Sequence, residues 1–367
     1  MIVGINGNEA NTTKRVGINE YAYQLLCALE KLPESKDHEF VIYLKEDPLK
    51  TLPKERIGWK YKILPGRGVW ILKTLMPSLL FSKNKPQVFF SPSHYAPPIL
   101  SMPSVISITD LGYLSQIEQF RKYDYLQLKY WGAMSMFKAK KIIAISESTK
   151  NDIVSHYPRL KNKIEVTYLS YDKSIFKYPI SSTKISSVKK KYKITKPYIL
   201  FLSTLKPSKN IEGLVEAFSL LESKNDYQVV IAGKKGWLYE SIFNKVKFLG
   251  LEDHVIFTDF IPEIDKPGLI AGAEVFAVPS FWEGFGIHVL EAMAVGTPVI
   301  ASQEGSLSEV VGSAGVYIDP KNPASIALGL ARAIKDKKLL TKLGLAQAEK
   351  FSWEETARKT LNIITSS

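Results

Sequence analysis

Within "PSFWEGFGIHVLEAMAVGTPVIAS", residues 279–302, two carboxylates stand in unusual company. Glu283 lies among glycines and aromatics, and Glu291 lies inside a run that is otherwise almost wholly apolar. A buried carboxylate is costly unless it is paired, protonated or offered to a ligand. A polyhydroxylated ligand suits it, because a carboxylate accepts hydrogen bonds and hydroxyls donate them. Gly284 and Gly286 let a backbone approach such a ligand closely. A helix beginning just after them offers unpaired N–H groups to oxygen atoms. The plainer alternative is a tight turn and a helix whose Glu caps a neighbouring loop.

Two further candidates lie in the amino-terminal half. His94, in "FSPSHYAPP", follows a strand end and either meets an acceptor or simply packs. Asp110, in "VISITDLGYL", either binds a hydroxyl or caps the turn that follows it. The five histidines show no metal spacing, and neither HExxH nor Asp-x-Asp occurs. No metal is therefore expected.

These residues need elements to hold them. In the carboxyl-terminal half, apolar strand-like runs at 198–202, 228–232, 255–258, 275–278 and 299–301 alternate with helical patterns such as 211–221 and 238–249. Such alternation predicts parallel strands with crossover helices. The amino-terminal half repeats the theme with strands at 2–6, 40–44, 88–90, 105–108 and 142–145, and helices at 20–29 and 125–137. The predicted fold is α/β, with two doubly wound Rossmann-like domains facing across a cleft. The first spans 1–176, with a carboxyl-terminal helix at 352–367 packing back on it. The second spans 197–351. Residues 177–196, rich in Ser, Lys and Pro, read as a linker. In such sheets, ligands bind outside the carboxyl ends of the strands.

Glu283 and Glu291, enclosing Gly-Phe-Gly and followed by "LEAMAVGTPVIAS", closely resemble the signature of retaining glycosyltransferases of family 4. These are GT-B enzymes that use nucleotide sugars. Further segments are similar to the same family in the same order: "RVGINEYAYQLL" (15–26), "AISESTKNDIV" (144–154), "YILFLSTLKPSKNIEGLVEAF" (198–218), "VVIAGKKGW" (229–237) and "SLSEVVGSAG" (306–315).

The resemblance implies that Glu291 holds the nucleotide ribose and Glu283 the donor sugar. It lays the Gly284-Phe285-Gly286 backbone against sugar and diphosphate. It also implies that Lys209 neutralises the diphosphate, with Ser203 and Thr204 on the same donor side. A fixed ammonium is worth most where charge develops on the leaving oxygens. Gly17 would face that diphosphate through its loop amides, or be a plain helix-start glycine. Phe260 and Ile261 resemble the base-contact loop, or are a buried structural pair. Glu283, Lys209 and Asp110 are the catalytic candidates, and His94 and Thr109 the acceptor-binding ones. Several positions depart from the family pattern. Ser208 stands where an Arg is common, with Lys206 as a candidate replacement. Thr109 stands where many relatives carry a His, and Asn19 and Glu20 replace a Gly and an Arg.

The reading is therefore retaining transfer of a hexosyl group, with mannose the first choice. The donor would be a GDP- or UDP-linked sugar and the acceptor a glycan or lipid-diphosphate-linked hydroxyl, with no other cofactor. A nucleotide-sugar isomerase or epimerase on the same fold is the alternative. The formal charge of +13 invites an acidic partner. No nucleic-acid motif accompanies it, so a basic nucleic-acid-binding protein is set lower. "RGVWILKTLMPSLLFSK" (67–83) mixes basic ends with Trp70, Leu72, Leu75 and Leu79, a pattern for either a core helix or an anionic membrane surface. Cys27 is the sole cysteine and the start reads as a strand, so a cytoplasmic address is expected, peripheral at the inner face of the cell membrane.

Overall fold

The computed structural model describes residues 1–13, 15, 17–115 and 122–367. They form two compact units, one of residues 1–169 with 352–367 and the other of residues 170–351. Val16, inside the segment 15–26, lies outside the described residues.

The first unit is a seven-stranded parallel sheet. Its strands are β1 (Ile2–Asn6), β2 (Glu39–Leu44), β3 (Trp59–Ile63), β4 (Val88–Ser91), β5 (Ser104–Ile108), β6 (Lys141–Ala144) and β7 (Ile164–Val166), in the order β3-β2-β1-β4-β5-β6-β7. The second is six-stranded and also parallel. It contains β8 (Tyr198–Leu202), β9 (Gln228–Ala232), β10 (Val255–Asp259), β11 (Val275–Val278), β12 (Val299–Ser302) and β13 (Val316–Ile318), in the order β10-β9-β8-β11-β12-β13. Every residue of β8, β9, β11 and β12 is buried, which requires cover on both faces of the sheet. Both units are doubly wound. Strand order reverses between β1 and β4 in one and between β8 and β11 in the other, opening a crevice at the carboxyl ends of those strands.

Three strands exceed the sequence reading: β3, β7 and β13, each at a sheet edge. The expected linker also differs. Its residues 182–191 form a helix, Ser182–Lys191, that belongs to the second unit. Ser181 Oγ caps it by accepting from Lys184 N at 3.3 Å. Its few apolar side chains suffice because Gly268 and Gly272 leave a groove for them. A Cβ at Gly268 would come within 2.9 Å of Val188, and one at Gly272 within 2.9 Å of Ile185.

Segment 67–83 is also resolved. Trp70 is buried with Leu75 and Leu79 against Tyr43 of β2 and Phe89 of β4, and its Nε1 donates to Leu64 O at 2.6 Å. The face of the sheet needs this cover, so the indole is core and not a membrane contact. The helix Trp353–Thr365 belongs to the first unit, where the Trp353 ring lies tilted with its centroid 6.4 Å from that of Tyr21 and Arg358 reaches Glu34 at 3.1 Å. No helix among the described residues is long and apolar enough to cross a membrane.

Candidate active site

Two loops leave the switch point of the second sheet, 203–210 after β8 and 279–286 after β11. The first makes a single tight turn, Pro207–Lys209, before Asn210 enters the left-handed region at φ 52°. Asn210 Nδ2 donates to Pro320 O at 2.6 Å, and Ser208 O accepts from Phe281 N at 2.9 Å. The loops are thus tied together by backbone, and Lys209 is buried between them. Its Nζ donates to Glu283 Oε1 at 2.6 Å.

Glu283 is held from three sides. Ser280 Oγ donates to the same Oε1 at 2.9 Å, and Ser302 Oγ holds Ser280 O at 2.6 Å. The Glu283 carbonyl accepts from Ser306 N at 3.1 Å and from Ser306 Oγ at 3.2 Å. Burial pushes the carboxyl upward. Lys209, Ser280 and the charge of His288 together outweigh that and hold it below the usual carboxylate range. Oε2 has no hydrogen-bond partner among the described residues and remains open to a donor.

Glu291 lies in the helix Ile287–Ala294, which Gly286 opens at φ 87°. Six of its eight residues are buried, Glu291 included, at 6% exposure. Its partner is His288, one turn earlier, with Nδ1 to Oε2 at 2.7 Å. Burial raises this carboxyl too, but His288 and the more distant Lys266 bring it below its ordinary value. The other oxygen of Glu291 takes no bond from a described residue.

The remaining candidates of this unit border the same edge. Ser203 N donates to Ala232 O at 3.0 Å, and Gly236 N donates to Leu205 O at 2.9 Å, so the loops after β8 and β9 run together. A Cβ at Gly236 would lie 3.0 Å from Thr204 Cγ2. Phe285 is buried against Phe351, edge to face, with 6.1 Å between ring centroids. Phe260 and Ile261 part company: Ile261 is core, while Phe260 is exposed with Lys234 Nζ 5.0 Å from its ring. Lys206 stands 5.2 Å over the ring of Trp237.

Gly17, His94, Thr109 and Asp110 belong to the first unit. Gly17 precedes the helix Ile18–Lys31 at φ 54°, ψ −117°, with nothing within 4 Å of an added Cβ. Backbone conformation, not space, demands glycine there. Asn19 donates to Glu9 Oε2 at 2.7 Å. His94 and Thr109 form a pair. Thr109 N donates to His94 Nε2 at 3.0 Å, and Thr109 Oγ1 lies 2.9 Å from the same atom. A backbone amide can only donate, so Nε2 carries the lone pair and a neutral ring carries its proton on Nδ1. Burial likewise favours the neutral ring, against the charge of Asp110. Asp110 Oδ1 caps the next turn through Gly112 N at 2.9 Å.

Residues 183–350 match the family model described as Glycosyl transferases group 1. The O-antigen chain mannosyltransferase B of Escherichia coli is 30% identical over 309 residues, covering 82% of this chain and 78% of that protein. This chain belongs to the group 1 glycosyl transferases. The serotype-specific mannosyltransferase WbdA of E. coli is 31% identical over 235 residues, 62% of this chain and 29% of that one. The transferase also superposes on Anabaena HepE, solved with UDP, with a TM-score of 0.75 at 18% identity, over all of both chains. Its two parallel α/β units are the GT-B fold.

In this glycosyltransferase, folding brings Lys209, Glu283, Gly284, Gly286 and Glu291 to one switch point. Sequence reasoning missed what holds them: Ser280, Ser302, Gly305, Ser306 and His288. His288 stands three residues before Glu291, a spacing that places side chains together on a helical turn, whereas Ser280 meets Glu283 within a loop. No comparable signal marks Ser302, Gly305 or Ser306, which approach from another strand end.

Proposed function

We propose that the transferase moves a mannosyl group from GDP-mannose to a hydroxyl of a glycan, with retention at the anomeric carbon. The reading rests on the Lys209–Glu283 pair at the β8/β11 switch point, with one oxygen of Glu283 and one of Glu291 left open to hydroxyl donors. Glu291 takes the ribose hydroxyls, Glu283 those of the sugar, and Lys209 turns its remaining N–H donors to the diphosphate. Gly17, Ser203, Thr204, the Gly284-Phe285-Gly286 backbone and the 260–261 loop complete the donor contacts. His94, donating from Nδ1, and Asp110 receive the acceptor. Thr109 serves by fixing the His94 ring.

In the reaction, the acceptor oxygen bonds to the anomeric carbon from the face the diphosphate leaves. The carbon–oxygen bond to the diphosphate breaks, and the departing phosphate oxygen takes the acceptor proton. A charge fixed in advance, such as that of Lys209, favours the transition state without reorganisation. Neutralisation by Lys209 makes the transfer metal-independent, so it should continue in EDTA.

Mannose follows from the names of the relatives, and an O-antigen-type glycan on a lipid diphosphate fits the first of them. Work on such an acceptor would bring the enzyme to the inner face of the cell membrane. Incubation with radiolabelled GDP-mannose, UDP-glucose and UDP-N-acetylglucosamine, with Glu283→Gln as control, tests the reading. Consumption of none by the wild type overturns it. A new nucleotide sugar formed without acceptor would show an isomerase instead.

A further inference from the structure

Glu291 and His288 form a carboxylate–imidazole pair, in which the ring is the more exposed partner, 38% against 8% for the side chains. With Nδ1 committed to Glu291 at 2.7 Å, the ring is fixed in orientation. Nε2, at the opposite edge, has no hydrogen-bond partner among the described residues. The charge of the imidazole is also felt at Glu283, in the loop before the helix. His288 therefore lies within electrostatic reach of both carboxylates and is bonded to one.

A nucleotide sugar has a fixed order of parts: base, ribose, diphosphate, sugar. If the ribose sits at Glu291 and the sugar at Glu283, the diphosphate must pass between them. We propose that His288 is a diphosphate-binding residue of the donor site, donating from Nε2 to a phosphate oxygen as an imidazolium. The inference rests on the donor reading above and adds a second cationic donor beside Lys209.

The test is titration calorimetry of the full chain with GDP and UDP and with the free nucleosides guanosine and uridine. His288→Ala should lose roughly tenfold in diphosphate affinity and leave nucleoside affinity unchanged. Equal losses for nucleoside and diphosphate would mean that His288 acts only by steadying Glu291, and would overturn the proposal. Lys209→Met separates the two levels. If it weakens diphosphate binding while His288→Ala does not, the inference alone fails. If neither matters, the donor site itself is misassigned.

Discussion

Lys209 and Glu283 are 74 residues apart in sequence and 2.6 Å apart in the fold, with side chains only 10% and 15% exposed. Parallel crossover topology creates that meeting, because β8 and β11 are neighbours although β9 and β10 lie between them in the chain. Removing one partner strands the other charge in a poorly solvated site.

Lys209→Met should therefore cost about 3–5 kcal/mol of stability at neutral pH, read from urea unfolding. The cost depends on pH in a definite direction. In the wild type the folded carboxyl titrates below its unfolded value of about 4.3. Its contribution is present above that pH and is lost as the pH falls through the folded pKa. The gap between wild type and Lys209→Met should thus be widest near neutrality and close in acid. A gap that ignores pH would show that the pair carries no charge coupling.

Glu283→Gln and Glu291→Ala should separate transfer from binding. The first keeps nucleoside diphosphate affinity and loses about a hundredfold or more in turnover, since it touches the group that reacts. The second loses about tenfold or more in that affinity, because an open acceptor for the ribose is gone. Calorimetry with GDP, beside initial rates, checks both.

The His94 ring should be neutral at pH 7 with its proton on Nδ1. Nitrogen-15 NMR of labelled histidine would show a protonated Nδ1 and a bare Nε2. Burial places the folded pKa below the ordinary value of about 6.5, so stability should decline from that pH downward until the folded ring itself protonates. Thr109→Val keeps the backbone donor to Nε2 and should preserve this tautomer.

Gly305→Ala and Gly17→Ala make a contrasting pair. Both sites have positive φ, 64° and 54°. A Cβ at Gly305 would come within 2.3 Å of Glu283 O, whereas one at Gly17 meets nothing within 4 Å. Gly17→Ala should cost only backbone strain, about 1–3 kcal/mol. Gly305→Ala should cost more in stability and also displace Glu283, with transfer falling further than GDP affinity. Thermal melts and paired kinetics distinguish them.

Trp70→Ala should destabilise the first unit by about 3–5 kcal/mol, as expected for an indole removed from a packed core. A lowered melting temperature without lipid present is the readout. Unchanged stability would reopen the membrane reading of 67–83.

The residues themselves made the inner strands legible. β8, β9, β11 and β12 are covered on both faces, so their sequences read as continuous apolar runs. β3, β7 and β13 are edge strands with mixed burial, and their period is lost among the loops. The helix Ser182–Lys191 escaped for a related reason. Its own apolar face is thin, and the groove that makes it sufficient is supplied by Gly268 and Gly272, far along the chain.

The same division runs through the site. Sequence alone determined the chemistry on offer: one carboxylate among glycines, another inside an apolar helical run and a lysine at a strand-to-helix loop, on a chain patterned for two parallel sheets. Which oxygen of each carboxylate stays open was decided in three dimensions, by Ser280 and Lys209 on Glu283 and by His288 on Glu291. So were the coupling of His94 to Thr109 and the burial of Trp70. Periodicity along a chain reports which faces must be covered. The partner of a polar atom depends on which loops the strand order brings together, and that is settled only when the sheet closes its register.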